Sequence, residues 1–178
     1  MKFEFVVNAE HRGTVDQFLS RSPVHIRICA LNIHDVQLIR TSLRLQLIRL
    51  LNLGCEVMIA FGEPLWNRDT WEPKDESCTQ IIDFLKELRS NGARVWYVPR
   101  LHAKILYVEE SVMGGRQPLH TLIGSANFTE SALGGDNLEL GVVFRDLNFY
   151  PQLAQRVRNF TGGLPGAGRS LEDVVQEV

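Results

Sequence analysis

The sequence has few cysteines and no long apolar segment, and both absences exclude classes of protein. Its 178 residues contain three cysteines, Cys29, Cys55 and Cys78, scattered without the C-x-x-C spacing of zinc or redox sites. We therefore expect buried, reduced thiols and neither a disulfide framework nor a zinc site. No apolar run reaches the roughly 18–20 residues of a membrane span. The charged, alternating start MKFEFVVNAEH is unlike a secretory signal, so we expect a cytoplasmic protein without a membrane partner.

The sequence also lacks an excess of charge of one sign. The formal net charge is −2, from 19 basic and 21 acidic residues. One of these basic residues and three of the acidic ones fall in 161–178, so the preceding 160 residues carry 18 of each sign. A chain without a global positive field binds a polyanion only through local charge. This argues against a nucleic-acid coat protein but not against an enzyme that grips one phosphate.

Apolar periodicity alternates between strands and helices in the first half of the chain. Strands are predicted at 2–8, 24–31 and 55–62, and helices at 14–22, 35–53 and 76–90. Closely spaced strands follow residue 93, and a last helix is predicted at 148–160. The pattern predicts an α/β fold with a mixed, largely parallel β-sheet flanked by helices on both faces. We expect one domain at 1–160 and a flexible tail at 161–178.

Two cationic side chains interrupt the apolar segment LHAKILYVEE, residues 101–110. Side chains alternate between the two faces of a strand, so His102 and Lys104 share one face, opposite the apolar residues at odd-numbered positions. The pair raises the question of why a strand places two potential cations side by side.

A second polar segment is GSANFT, residues 124–129, which follows the apolar stretch LHTLI. Its Gly-Ser start lets backbone amides approach an anion closely, and Asn127 adds a neutral hydrogen-bond donor. A turn capped by Thr129 explains the same residues without any ligand. The segment alone therefore leaves both interpretations open.

Together, the two segments resemble the HKD signature of the phospholipase D superfamily. The matching residues are His102, Lys104, Gly124, Ser125 and Asn127. The continuation GSANFTESALGGDNLELGVVF also resembles this family, and the resemblance is tight over about 101–144. It implies a phospholipase D-like fold and a phosphodiesterase that forms a phosphohistidine on His102, with no metal and no other cofactor.

The resemblance also implies a role for each polar residue. Lys104 would neutralise the non-bridging oxygens of a phosphodiester, and Ser125 and Asn127 would donate hydrogen bonds to them. An imidazole attacks only when it is neutral, and a carboxylate on its other nitrogen orients it. Glu139 is the first candidate for this carboxylate.

The sequence departs from the family in two places. Glu109 stands five residues after the lysine, where the family has aspartate. It is the second candidate for the orienting carboxylate, and the departure leaves open a non-catalytic module that binds phosphate without turnover. The spacer at 110–123 is longer than in compact members and contains Arg116 and His120, which could face substrate.

The H-x-K motif occurs only once. None of the other four histidines is followed by lysine two residues later, whereas in this superfamily a second motif supplies the general acid. The resemblance therefore implies a homodimer with one motif from each chain at a shared site. A general acid contributes about 10²–10⁴-fold in rate, so we expect an isolated monomer to be nearly inert.

Nucleic acid is the expected substrate, because short single-motif members resemble nucleases whereas lipid-hydrolysing members are usually two-motif chains. The expected function is a metal-independent endonuclease acting on DNA or RNA, standing alone or with a partner in a defence or repair system. The alternatives are a phospholipase D-type enzyme acting on lipids or small diesters, and the non-catalytic module. Candidate substrate contacts are Gly124, Thr129, Arg100, Arg116 and His34.

Two further pairs have both a functional and a structural interpretation. Arg40 and Arg44 lie one helical turn apart, where they could hold flanking phosphates, but a solvated helix face is the favoured interpretation. Trp66 and Trp71 could stack unpaired bases. Packing of their loop against the core is favoured over that role.

Overall fold

A computed structural model describes most of the chain: residues 3–21, 23–33, 42–67, 69–70, 72–113, 115–127, 129, 132–133 and 137–170. The candidate residue His34 lies outside this part of the chain, as do Arg40 and Trp71.

In the described part of the chain, eight strands form one mixed sheet. The strands are β1 (Phe3–Val7), β2 (His25–Ala30), β3 (Glu56–Phe61), β4 (Arg94–Tyr97), β5 (Ile105–Val112), β6 (Gly115–Gly124), β7 (Leu140–Arg145) and β8 (Arg169–Ser170). They lie in the order β1-β7-β6-β5-β2-β3-β4-β8.

The mixed sheet is as predicted, but the expectation that it is largely parallel is wrong. Only the pairings β2–β3 and β3–β4 are parallel among the seven described, and the other five are antiparallel. Parallel neighbours need a crossover connection, and helices supply it between β2, β3 and β4. The tight β5–β6 hairpin and the later strands need none, so they pair antiparallel.

Helices cover both faces of the sheet, as predicted. They are α1 (Glu10–Ser20), α2 (Ser42–Asn52), α3 (Glu76–Ser90) and α4 (Pro151–Ala167), and a short 3₁₀ helix (Leu147–Phe149) precedes α4. Apolar residues of the first three helices pack with one face of the sheet. Those of α4 pack with the other face. The described cysteines are free and buried in these cores, as expected, and burial raises the pKa of the Cys29 thiol to about 12.

Helix α1 begins earlier than the predicted cap at Thr14. The chain turns out of β1 at Asn8, which has a left-handed backbone with φ of 48°. Asparagine tolerates this conformation better than most residues. The carboxylate of Glu10 then accepts a hydrogen bond from the backbone N–H of Val7 at 2.9 Å, which fixes the start of the helix.

The predicted flexible tail is structured as far as Ser170. Helix α4 continues to Ala167 although Pro165 lies within it. Arg27 holds its last turns, because Nη1 donates to the carbonyl of Arg158 at 2.9 Å and to Oγ1 of Thr161 at 2.7 Å. Tertiary contacts thus override the weak helix propensity of this segment. β8 follows and pairs with β4; residues 171–178 lie outside the described chain.

Within the described residues, no helix combines the length and the apolar character needed to cross a bilayer.

Candidate active site

His102 and Lys104 lie in an extended segment immediately before β5, and not within the strand as the alternation predicts. A tight turn leads into the segment, closed by a hydrogen bond of 3.0 Å from the N–H of Leu101 to the carbonyl of Val98. Arg100 in this turn has a left-handed φ of 66°. Leu101 is buried and His102 is exposed, so the turn presents the imidazole to solvent.

Gly62, just after β3, allows this segment to come close to the sheet. A Cβ atom at Gly62 would lie 2.1 Å from the carbonyl oxygen of Leu101, far inside contact distance. Only glycine fits there without displacing the backbone next to His102.

The two halves of the motif meet at the end of the β5–β6 pair. The N–H of Gly124 donates to the carbonyl of Lys104 at 3.2 Å, and the N–H of Ser125 donates to the carbonyl of Leu140 at 3.0 Å. Gly124 lies opposite Gly141 of β7. A Cβ at Gly124 would lie 2.8 Å from the Leu140 carbonyl oxygen, so this close approach also requires glycine.

Lys104 contacts the imidazole of His102 directly. Its Nζ lies 3.3 Å from Nδ1 of His102 and donates to the His102 carbonyl at 3.1 Å. An ammonium only donates, so Nδ1 is the acceptor, and a neutral ring then carries its proton on Nε2. Partial burial lowers the pKa of Lys104, and the charge of Glu139 opposes this shift. Because the proton of the neutral His102 ring is then on Nε2, this nitrogen has no lone pair for attack in the single chain.

Ser125 is bonded to Glu139. Its hydroxyl donates a short hydrogen bond to Oε2 of Glu139 and accepts one from the N–H of Leu140 at 3.1 Å. Among the described contacts, no hydrogen bond joins Glu139 to His102. In the single chain, Glu139 is thus a partner of Ser125. A phosphate that takes the serine O–H would free the carboxylate for the imidazole.

Asn127 has an orientation that its partner defines. Its Oδ1 accepts a hydrogen bond of 3.1 Å from the backbone N–H of Asn32. Because a backbone N–H can only donate, the oxygen of the amide must face Asn32. The NH₂ group is therefore on the other side and is the group that can donate to an anion.

The remaining substrate-contact candidates do not join this group. Thr129 is buried, and its Oγ1 accepts a hydrogen bond of 3.3 Å from the N–H of Ala132, as its capping interpretation predicts. Arg100 is exposed in the turn before His102.

Arg116 lies at the far end of the β5–β6 pair. It pairs in register with Ser111, seven residues beyond Lys104, which is about 23 Å along a strand at roughly 3.3 Å per residue. Its guanidinium bonds the carboxylate of Glu56. His120, from the same spacer, is buried and stacks on Phe18 with ring centroids 4.7 Å apart. Within one chain, neither side chain reaches the site.

Glu109 belongs to a buried network on the α4 side of the sheet. Its carboxylate accepts hydrogen bonds from Nδ1 of His25 at 3.1 Å, the hydroxyl of Tyr107 at 2.7 Å and the guanidinium of Arg158 at 2.8 and 3.0 Å. Burial alone would raise the pKa of Glu109, but these hydrogen bonds outweigh it and lower the pKa to about 2. Glu109, the second candidate for orienting His102, does not do so in this chain. It is an odd-numbered residue of β5, so its side chain lies on the opposite face from the even-numbered Lys104.

Of the arginine and tryptophan pairs, the described members Arg44 and Trp66 both make structural contacts. Trp66 is 3% exposed and packs edge-on against Tyr97 with ring centroids 5.0 Å apart, which confirms the packing interpretation. Arg44 bonds both carboxylate oxygens of Glu87, at 2.9 and 2.6 Å.

The sequence analysis did not identify Asn8, which holds the backbone of Glu139 through two hydrogen bonds. Asn8 donates its backbone N–H to the Glu139 carbonyl at 3.1 Å, and its Oδ1 accepts the N–H of Glu139 at 3.1 Å. The only signal in the sequence is an asparagine at a strand-to-helix junction, where a left-handed residue is expected.

No group of three or more histidine, cysteine, aspartate or glutamate side chains in the described chain is arranged to hold a metal ion. The arrangement that is present combines an exposed imidazole, an ammonium, a hydroxyl and an amide at one end of the sheet.

Comparisons with known proteins concern the family and the fold. A family model described as cardiolipin synthase, PLD-like domain, matches residues 15–160. Among solved structures, the chain is similar to Nuc from Salmonella typhimurium, a phospholipase D family member, with 18% identity and a TM-score of 0.68 over 94% of this chain and 96% of that one. NucT from Helicobacter pylori is similar over 95% and 99%, with 12% identity and a TM-score of 0.64.

A third similar structure is phosphatidylserine synthase from Haemophilus influenzae, with 14% identity and a TM-score of 0.66. The match covers 94% of this chain but 39% of that protein. No curated protein sequence matches the chain significantly.

Proposed function

We propose, because the protein belongs to the phospholipase D superfamily, that it is a metal-independent phosphodiesterase, specifically an endonuclease that cleaves DNA or RNA. The observation that carries the proposal is the hydrogen bond between the carbonyl of Lys104 and the N–H of Gly124, since it places the H-x-K and G-S-x-N segments side by side. In the proposed complex, the cation and the two neutral donors bind one phosphate.

The proposed reaction proceeds in two displacements at phosphorus. In the first, Nε2 of His102 forms a P–N bond while the bond to the leaving oxygen breaks, and that oxygen takes a proton from a general acid. Lys104 and the amide of Asn127 stabilise the charge on the non-bridging oxygens. In the second, water attacks phosphorus, gives its proton to the same group acting as base, and the P–N bond breaks.

Substrate binding must first rearrange the hydrogen bonds of the single chain. When the phosphate takes the ammonium of Lys104 and the hydroxyl of Ser125, Nδ1 of His102 and the carboxylate of Glu139 both lose a partner. A hydrogen bond from Nδ1–H to that carboxylate moves the ring proton from Nε2 and gives Nε2 its lone pair. This gives Glu139 its orienting role only in the substrate complex.

The general acid is proposed to be the partner's His102 in a homodimer. None of the other described histidines is proposed for this role. His25 and His120 are bonded within the fold, and His11 is fully buried with its Nδ1 bonded to the Asn8 carbonyl. An isologous dimer whose axis passes the site brings a second imidazole to the same phosphorus.

An exposed apolar stripe beside the site supports such a dimer. Phe5, Val7 and Leu140 are 64%, 45% and 54% exposed, and Val7 lies opposite Leu140 in the register of β1 and β7. Leu138, two residues before Leu140, is 94% exposed. Contiguous apolar surface of this kind is typical of interaction sites, and Glu139 lies between Leu138 and Leu140 in the sequence.

Two of the similar structures favour nucleic acid over lipid. Nuc and NucT align with this chain over 96% and 99% of their own lengths, whereas the phosphatidylserine synthase aligns over 39% of its length. The family model's description keeps a lipid substrate as the second candidate.

The substrate proposal is tested with DNA, RNA and phosphatidylcholine vesicles in EDTA, with wild type beside His102→Ala. Nucleic-acid cleavage that persists in chelator and is lost at least about 10³-fold in the variant supports the proposal. Lipid turnover alone transfers the assignment to the second candidate. Binding of nucleic acid without turnover identifies a non-catalytic module.

The shared site is tested by mixing subunits. Wild type and His102→Ala are co-refolded in equal amounts, so that about a quarter of random dimers contain two intact chains. A site that needs both imidazoles then keeps about a quarter of the wild-type activity. Retention of about half would show that each chain works alone, and a fully active monomer on a sizing column would do the same.

A further inference from the structure

The turn between β1 and α1, residues 8–11, lies directly behind the proposed site. His11 is fully buried on the α1 side of the sheet. Its Nδ1 lies 2.8 Å from the carbonyl oxygen of Asn8. Because a carbonyl only accepts, Nδ1 carries the ring proton, and in the neutral ring Nε2 is a bare acceptor. Within the described chain, Nε2 has no hydrogen-bond partner.

Gly141 makes room for this imidazole. A Cβ at Gly141 would lie 2.7 Å from Nε2 of His11, and Gly124 lies opposite Gly141 in the sheet. His11, Lys104 and Gly124 line one small cavity, together with apolar side chains. Its volume of about 10 Å³ is close to the minimum for one water molecule. The imidazole thus borders a space that the lysine of the site also borders.

The same turn also fixes the glutamate of the site. Asn8 pairs with Glu139 through two hydrogen bonds of 3.1 Å, one from its backbone N–H and one to its Oδ1. Glu139 accepts the hydroxyl of Ser125 and acts by its charge on Lys104. A shift of Asn8 would therefore be transmitted to both groups that face the phosphate.

We propose that Asn8 and His11 are positioning residues for the phosphate-binding group. Asn8 fixes the backbone of Glu139, and Nε2 of His11 accepts a hydrogen bond from one water in the cavity that it shares with Lys104. Neither side chain touches the substrate. The inference rests on the proposed function for its kinetic test, but its geometry can be tested without turnover.

The first test uses Asn8→Gly and Asn8→Asp with a chromogenic phosphodiester as substrate. Glycine keeps the left-handed backbone and removes Oδ1, whereas aspartate keeps the acceptor. Misplacement of a catalytic group by about 1 Å costs about 10²-fold, so we expect Asn8→Gly to lower kcat about 10–100-fold. Because the displaced group also binds the phosphate, we expect KM to rise about tenfold. Asn8→Asp should recover most of kcat. A kcat for Asn8→Gly equal to wild type overturns the role of Asn8.

Asn91→Gly is the matched control, because Asn91 also bonds a backbone group at the end of an element, the Glu87 carbonyl at 2.9 Å, outside the site. Each variant is assayed well below its own Tm. A fall in kcat of the same size in Asn91→Gly would assign the effect to stability and overturn the proposal.

The second test concerns His11. Long-range ¹H–¹⁵N spectra of the histidine rings should show its proton on Nδ1, and a proton on Nε2 overturns the assignment. His11→Asn keeps a donor in place of Nδ1 and removes Nε2, so we expect kcat to fall about tenfold. The control His120→Asn alters another buried imidazole and should reduce Tm without a comparable loss of kcat. Equal kcat losses in the two variants would mean a purely structural role.

Binding of inorganic phosphate separates this inference from the proposed function. If wild type hydrolyses no phosphodiester, the proposed function fails, and phosphate titrations followed by NMR still decide the positioning role. At least tenfold weaker phosphate binding by Asn8→Gly than by Asn8→Asp supports it. Equal affinities, or no phosphate binding by wild type, overturn it.

Discussion

The two ends of the β5–β6 pair carry the same kinds of side chain and use them differently. At one end, His102 is exposed, and among the described residues its Nδ1 has a hydrogen bond only with Lys104. At the other end, His25 is buried, donates through Nδ1 to Glu109 at 3.1 Å and accepts at Nε2 from Arg27 at 3.1 Å. His25 thus already has the carboxylate bond that a nucleophilic imidazole requires, but its second nitrogen is occupied.

The difference shows that residue type does not decide between chemistry and stability. A histidine, a cation and a glutamate whose hydrogen bonds are all satisfied in the interior hold the fold together. The same groups left with unused donors at an exposed strand end can bind and attack a substrate.

Removing the charge of Glu109 should have the largest effect on stability. Glu109→Gln leaves the buried His25 ring and the 37% exposed side chain of Arg158 without their carboxylate. We expect a loss of about 3 kcal/mol, the lower end of the range for breaking a buried pair. Urea unfolding at neutral pH measures the loss. Glu87→Gln is the matched control, since its partner Arg44 is on the surface and solvent screens the pair. Equal losses in the two variants would contradict the buried role.

The pH dependence of stability follows from the same carboxylate. The pKa of Glu109 falls from 4.5 to about 2 on folding, so the folded protein binds this proton less tightly than the unfolded chain. Its contribution, about 3 kcal/mol, is fully present above about pH 4.5 and is lost as the pH falls toward about 2. The difference in free energy of unfolding between wild type and Glu109→Gln should shrink over this interval. A difference independent of pH would refute the assignment.

Gly62→Ala tests the exposed end. The added methyl group would collide with the carbonyl of Leu101, so the segment that carries His102 must move. We expect activity to fall about 10–100-fold, because reacting groups tolerate little displacement, and stability to fall by about 1–3 kcal/mol. Gly13→Ala in α1 is the control, since no atom lies within 4 Å of its added Cβ. A similar loss in that variant would exclude a specific role for Gly62.

The smallest effect is expected at Arg100. Its φ of 66° is unfavourable for a residue with a Cβ, and glycine relieves this strain. Arg100→Gly should raise the free energy of unfolding by about 0.5–1 kcal/mol, after the entropic cost of glycine is subtracted. Asp146→Gly, at a φ of 60°, should gain less, because aspartate tolerates this conformation better and also loses its bond to Asn148. Destabilisation by Arg100→Gly would show that the side chain itself holds the turn.

The bounds of a helix were predictable where capping residues next to it in the sequence define its ends. Helix α3 spans 76–90 as expected, because Asp75 caps its start and Gly92, with φ of 98°, follows its end. The direction of strand pairing was not predictable in this way, because it depends on contacts between distant segments. The prediction that α4 ends at residue 160 was wrong for the same reason. Arg27, more than 100 residues earlier, bonds Arg158 and Thr161 just before the glycine-rich stretch.

The candidate site shows the same division. The two motif segments predicted which polar groups meet at one end of the sheet, and the structure brings Lys104, Ser125 and Glu139 together there. Strand parity alone places Glu109 on the opposite face from Lys104, so its separation was readable from the sequence. Asn8 and the register of Arg116 were not, because both depend on how β1 and β6 are paired.

The short strand β8 pairs only two residues with β4, yet it covers the backbone of Trp96 and Tyr97 on that side of the sheet. Uncovered N–H and C=O groups at such a border recruit strands from other molecules and promote aggregation. A shortened protein ending at Ala167 would open this border, so versions made for crystallisation or assay should retain Arg169 and Ser170.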